Sequence, residues 1–155
     1  MTPAVEAARA AGVAFEILEY EHDPGHESYG LEAVEALNLD PAAVFKTLVA
    51  TVGAGGLVVA VVPVMKRLDL KALAKAVGAK RAAMVHPAVA QRATGYVVGG
   101  ISPLGTKRRL VTAIDQSATQ LEFMHCSAGR RGTEIGMAPM DLVTLTAAVL
   151  APIAS

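Results

Sequence analysis

Aromatic side chains are scarce in this 155-residue chain, which has three Tyr, three Phe and no Trp. A stacking platform for single-stranded nucleic acid is poorly supplied, so bases, if bound, are not read by rows of aromatics. The single cysteine, Cys126, excludes an internal disulfide. The N-terminus has no basic flank followed by an apolar stretch, so no secretory signal is read there and the cytoplasm is the expected compartment. Charged residues make up only 18%, whereas 53% are hydrophobic. That balance is too apolar for a disordered chain, which buries too little to offset its ordering entropy. The length suits one domain over residues 1–155, since about 100 to 200 residues is the usual size.

Residues 47–65 carry no charge, which raises the question of a membrane span. Gly53, Gly55, Gly56 and Pro63 argue instead for two buried strands joined by a tight turn. The net charge of zero conceals a division. Residues 1–40 hold nine acids and one base, and the remainder holds 13 bases and five acids. Either the two parts neutralise each other in the fold, or the basic part presents a face to a polyanion.

The remaining pattern mixes short helices and strands. Thr2, Pro3 and Gly12 bracket a helix over 3–11, followed by a strand through Phe15, Ile17 and Tyr20. A loop at 21–25 precedes a short helix ending near Asn38. Strands are expected at 44–52 and 57–62, and Asp69 caps an amphipathic helix through Leu70, Leu73, Ala74 and Val77. Further expectations are a helix over 87–92, strands through 96–98, 110–114 and 121–126, and a closing helix over 139–150. Without regular strand-helix-strand alternation, the pattern predicts an α+β domain with a curved mixed sheet.

Lys46 is the first candidate for chemistry. Strand periodicity puts it on one face with Val44, Leu48 and Ala50, where a partly apolar pocket would strengthen the field of its ammonium at a phosphate or carbonyl oxygen. An edge lysine reaching solvent by its long stem satisfies the same spacing. The segment from Gly95 to Gly105 holds four glycines in eleven residues. Glycines allow close backbone approach and can present N–H groups to an anion or oxyanion, although they serve a structural turn equally well. Neither a Walker loop nor a dinucleotide fingerprint is present, and there is no G-x-S-x-G. The pairs Lys66-Arg67 and Lys80-Arg81, the triplet Lys107, Arg108 and Arg109, and Arg130 with Arg131 could contact an RNA backbone or form a solvated rim. His125 and Cys126 are adjacent on a strand and point to opposite faces, which disfavours a thiol-imidazole pair. His22 and His26 have helical metal-ligand spacing, but Pro24 and Gly25 interrupt that helix, so no metal site is expected.

Several segments together resemble a known family. Tyr20-Glu-His-Asp-Pro24, Val44-Phe-Lys46-Thr-Leu48, Leu68-Asp-Leu70, Val89-Ala-Gln-Arg92, Thr94-Gly-Tyr96 and Gly99-Gly-Ile-Ser-Pro-Leu-Gly105 are similar to the YbaK/EbsC group of prolyl-tRNA editing proteins. The similarity spans nearly the whole chain and is strongest to the Cys-tRNA(Pro) deacylases of the YbaK type. It implies a compact α+β domain with a mixed, barrel-like sheet surrounded by helices. It also implies catalysis by Lys46 and the main chain at Gly99, Gly100 and Ile101, with Tyr20, Thr47, Ser127 and Glu134 against the substrate. Close relatives have aspartate where this chain has Glu134. The implied partners are aminoacylated tRNA(Pro) and prolyl-tRNA synthetase, with no cofactor, membrane or DNA. A cysteinyl ester brings its own thiol, so the enzyme need only position the ester and stabilise negative charge. A relaxed or alanine-preferring deacylase of the same superfamily and a non-catalytic aminoacyl-tRNA or synthetase-binding module share the same motifs.

Overall fold

The computed structural model describes residues 1–26 and 28–155. Helix α1 spans Pro3–Ala11, with Val5 donating its amide to the Thr2 hydroxyl at one end and Gly12 left-handed at the other. Strand β1 is Phe15–Glu19 and α2 is Tyr29–Leu37, closed by Asn38 at φ 52°. The uncharged run forms the antiparallel hairpin of β2, Phe45–Val52, and β3, Gly56–Pro63. Among the described residues no helix is long and apolar enough to cross a membrane. After α3, Leu70–Ala76, come β4, Ala82–Met84, and α4, Pro87–Thr94. The chain ends with β5, Val111–Asp115, β6, Met124–Arg130, β7, Thr133–Met137, α5, Pro139–Thr146, and β8, Val149–Ala151.

The expected α+β class is therefore present, built on two sheets that do not close into a barrel. One sheet has the order β4-β2-β3-β5-β8, and its pairings are antiparallel except for β3-β5 and β5-β8. The other has the order β1-β7-β6 and is antiparallel throughout. Among the described residues a single bridge, between Val44 and His125, joins them. Side chains of β2 and β3 alternate between two apolar clusters. Phe45, Val49, Val59 and Val61 pack between the sheets with Ile135, Met137 and Leu142. Leu48, Ala50, Ala60 and Val62 pack under α3 against Leu73. Leu73 is fully buried, which stabilises the docked helix by about 2 kcal/mol.

Three expectations need correction. No strand forms through Tyr96, Val97 and Val98: Gly95 ends α4 at φ 82°, and the buried Tyr96 hydroxyl donates to the Leu104 carbonyl at 2.6 Å, clasping the glycine-rich loop. The closing helix stops at Thr146, because Ala147 turns left-handed at φ 52° and the following apolar residues add β8 to the sheet edge. Residues 116–120 form a 3-10 turn, which shifts the 121–126 strand to Met124–Arg130.

Candidate active site

Where the second sheet would have to meet β2 to close a barrel, the structure has a cleft of about 390 Å³. Its position follows from pairing along one edge of β2. β4 covers that edge only from Ala50 to Val52, the Val85 amide reaches Val49 at 3.5 Å, and β6 touches it only at Val44. The Val44 carbonyl accepts from Val64 on the β3 side. By antiparallel alternation, the main chain of Thr47 therefore faces the uncovered edge. Side chains from both faces of the strand border the opening, so Lys46 and Thr47 meet there although they project oppositely.

The cleft gathers Tyr20, Lys46, Thr47, Gly99, Ile101, Ser127 and Glu134 in one lining. Tyr20 follows β1, with its amide donating to the Gly132 carbonyl at 2.9 Å. Glu134 lies on the central strand β7, in register with Leu18 on one side and Ser127 on the other. Tyr29, at the start of α2, closes another wall against Gly99. A Cβ on Gly99, which has φ 88°, would lie 2.7 Å from the Tyr29 ring, so both backbone shape and close approach require glycine there.

Gly100 has a different place. Its amide donates to the Val97 carbonyl at 2.9 Å, and a Cβ there would meet the Arg130 main chain at 2.7 Å. The resemblance implied a main-chain contact to the reacting group at Gly100. Its N–H is engaged by Val97, and the loop residues bordering the cleft are Val98, Gly99 and Ile101.

Lys46 makes no hydrogen bond or ion pair among the described residues. Burial, reinforced by the positive charge of Arg67, holds its ammonium below the usual lysine pKa. Glu134 is 7% exposed, and burial pushes its carboxyl from 4.5 up to about 8. At neutral pH it is thus mainly a neutral acid able to donate a hydrogen bond. Burial, followed by the charges of Glu134 and Glu32, pushes the Tyr20 phenol up to about 12, so that group also stays protonated. The Thr47 hydroxyl is buried without a partner among the described residues.

Other candidates separate from this site. Cys126 is fully buried in the inter-sheet core, and burial pushes its thiol well up. The imidazole of His125 donates to Glu16 at 2.9 Å, that of His22 to Glu32 at 2.6 Å, and that of His26 to Glu35 at 3.0 Å. Arg130 pairs with Glu19 at 3.1 Å. The Nε of Arg131 donates to the Val98 carbonyl, and its guanidinium lies 5.0 Å from the centre of the Tyr29 ring. Both arginines are exposed; Arg131 braces the loop and the cleft wall, whereas Arg130 holds Glu19 and Thr133. Lys107, Arg108 and Arg109 are exposed, and Arg109 borders a separate pocket with Ala7 and Leu145. Sequence reasoning missed Tyr29 and the apolar rim at Met84 and Val85. Their only signal was apolar character, which the core shares.

The aminoacyl-tRNA editing domain family matches this chain over residues 24–145. The chain belongs to that family. It is accordingly an editing enzyme, an aminoacyl-tRNA deacylase. This editing domain is 40% identical over 129 residues to a protein of Enterococcus faecalis provisionally named Cys-tRNA(Pro)/Cys-tRNA(Cys) deacylase EbsC, a match covering 83% of this chain and 79% of that protein. A solved structure provisionally described as a trans-editing enzyme for prolyl-tRNA synthetase superposes with TM-score 0.80 at 22% identity, covering 100% of this chain and 99% of that one. The crystal structure of hypothetical protein APE2540 does so with TM-score 0.89 at 25% identity, covering 99% and 100%. The editing domain has its cleft at the open seam between its two sheets.

Proposed function

We propose that this deacylase removes cysteine from mischarged Cys-tRNA(Pro) in trans, and that the thiol of the substrate breaks the ester. One observation carries the reading: among the described residues the cleft offers an unpaired ammonium and neutral hydroxyl and carboxyl donors, but no nucleophile paired with a base. Cys126 is sealed in the core, no histidine borders the cleft, and the Ser127 and Ser28 hydroxyls accept backbone amides of Gly129 and Leu31. An aminoacyl ester bearing its own sulfur needs only positioning and relief of negative charge.

In this mechanism the cysteinyl sulfur bonds to the ester carbonyl carbon while Lys46 and main-chain amides near Gly99 and Ile101 hold the oxygen as it becomes an oxyanion. The carbon-oxygen bond to the ribose then breaks. The thiol proton ends on the released ribose hydroxyl, and water opens the cyclic thioester to free cysteine. Thr47 and Tyr20 fix the aminoacyl group, and Glu134 donates as a neutral acid. The relative's name includes Cys-tRNA(Pro) and Cys-tRNA(Cys) alike, which fits a site that reads the cysteinyl ester more than the tRNA body. Selectivity for tRNA(Pro) then comes from association with prolyl-tRNA synthetase.

The test is single-turnover deacylation of tRNA(Pro) carrying Cys, S-methyl-Cys, Ser, Ala or Pro, with and without synthetase. Rapid loss of Cys and slow loss of S-methyl-Cys, Ser and Ala is expected, with tRNA preference sharpening when synthetase is added. Equal rates for Cys and Ala would overturn the thiol mechanism.

A further inference from the structure

The opposite charges of the two parts of the chain do not cancel by pairing. Of the 13 bases beyond residue 40, only Arg130 lies within 4 Å of a carboxylate among the described residues. The N-terminal acids Glu16, Glu19, Glu32 and Glu35 instead partner three histidines and that one arginine. Six exposed cations are left around α3: Lys66, Arg67, Lys71, Lys75, Lys80 and Arg81.

Lys71 and Lys75 stand one turn apart on the same face of α3, and with Lys80 they border a groove of about 430 Å³. The acid in this groove is Asp69, whose Oδ1 is occupied in accepting the Ala72 amide at 3.0 Å. No aromatic side chain borders it, so it offers charge and no surface for stacking.

The groove lies on the same side of the sheet as the active-site lysine. α3 packs through Leu73 on the face of β2 and β3 formed by Ala50, Ala60 and Val62, and Lys46 is in register with Val62 on that face. Arg67 is anchored by two main-chain hydrogen bonds to Ser155, and its positive charge reaches Lys46. Past Lys80 and Arg81, the chain enters β4, whose Met84 borders the cleft. Arg67, just before α3, thus places positive charge near Lys46, while Lys80 and Arg81 precede the strand that pairs with the Val52 end of β2. The alternatives are less suitable: Arg130 is paired with Glu19, Arg131 braces the cleft wall, and Arg109 borders a pocket that shares no residue with the cleft.

We propose that Lys71, Lys75 and Lys80 hold the phosphate backbone of the acceptor end of an aminoacylated RNA whose ester lies at Lys46. This inference rests on the deacylase reading above. It makes the RNA contact sequence-independent, because phosphates position a nucleic acid without identifying it.

The test compares wild type with the triple variant Lys71→Ala, Lys75→Ala, Lys80→Ala, and with the matching triple arginine variant. Binding of uncharged tRNA(Pro) is measured over a range of KCl concentrations, and single-turnover cleavage is measured on Cys-tRNA(Pro) and on cysteinyl-CCA. Each lost phosphate contact lowers the salt slope by about 0.7 to 0.9, so the alanine triple should reduce it by about 2 to 3. Its affinity for tRNA should fall at least about tenfold at moderate salt, with the arginine triple near wild type. The cleavage defect should appear as a higher half-saturating concentration on Cys-tRNA(Pro), and not on the trinucleotide ester. An unchanged salt slope and affinity would overturn the proposal. So would wild type failing to bind tRNA, or the alanine triple losing synthetase binding while keeping RNA binding. The binding arm needs no turnover, so it separates failure of the groove from failure of the deacylase reading.

Discussion

Replacing Glu134 with Gln should remove a pH-dependent penalty from the fold. In the native state burial raises this carboxyl from 4.5 to about 8, so the folded protein keeps a proton that the unfolded chain releases. With more protons bound in the native state, stability falls as pH rises through the window from 4.5 to about 8, and levels off above it. The full shift corresponds to about 5 kcal/mol, a ceiling that water entering the open cleft reduces. Glu134→Gln keeps the shape and the hydrogen-bond donor without the ionisation. Urea unfolding of both proteins at pH 5, 7 and 9 should show the variant gaining on wild type at each step, by at least about 2 kcal/mol overall. Curves that remain parallel within about 0.5 kcal/mol would refute the reasoning, because they would mean that the carboxyl titrates as it does in the unfolded chain.

Two other substitutions address the cleft and the core. Cys126→Ser should leave the deacylation rate largely intact and cost about 1 to 3 kcal/mol of stability, because a hydroxyl replaces a thiol in a dry core. Rate assays beside denaturation curves check both parts. Gly99→Ala adds a Cβ 2.7 Å from the Tyr29 ring at a φ of 88°, so about 1 to 3 kcal/mol of stability and most of the activity should be lost. Thermal unfolding and single-turnover rates would show it.

Elements with strong local signals were legible in the sequence. Thr2 and Gly12 bracket α1, Asp69 caps α3, and the glycines at 53, 55 and 56 turn the β2-β3 hairpin. Strand β7 was not, because Thr133–Met137 contains a glycine and lacks a β-branched run, and its position between β1 and β6 comes from long-range pairing. β4 is three residues long and β8 adds only three to the sheet edge, so neither carries a periodicity that separates strand from helix or loop. Lys46 was visible as a charge in an apolar strand. Its position at an uncovered strand edge was not, because coverage depends on where β4 and β6 pair. Composition revealed the excess of bases, and only the ion-pair pattern shows that the acids do not neutralise it.

The measurement closest to the central claim is single-turnover cleavage of Cys-tRNA(Pro) by Lys46→Ala, alongside its unfolding curve. A donor to a developing oxyanion contributes roughly 3 to 4 kcal/mol, so the rate should fall about 10² to 10³-fold while the half-buried position lets the fold survive. A folded Lys46→Ala protein that cleaves near the wild-type rate would contradict the account.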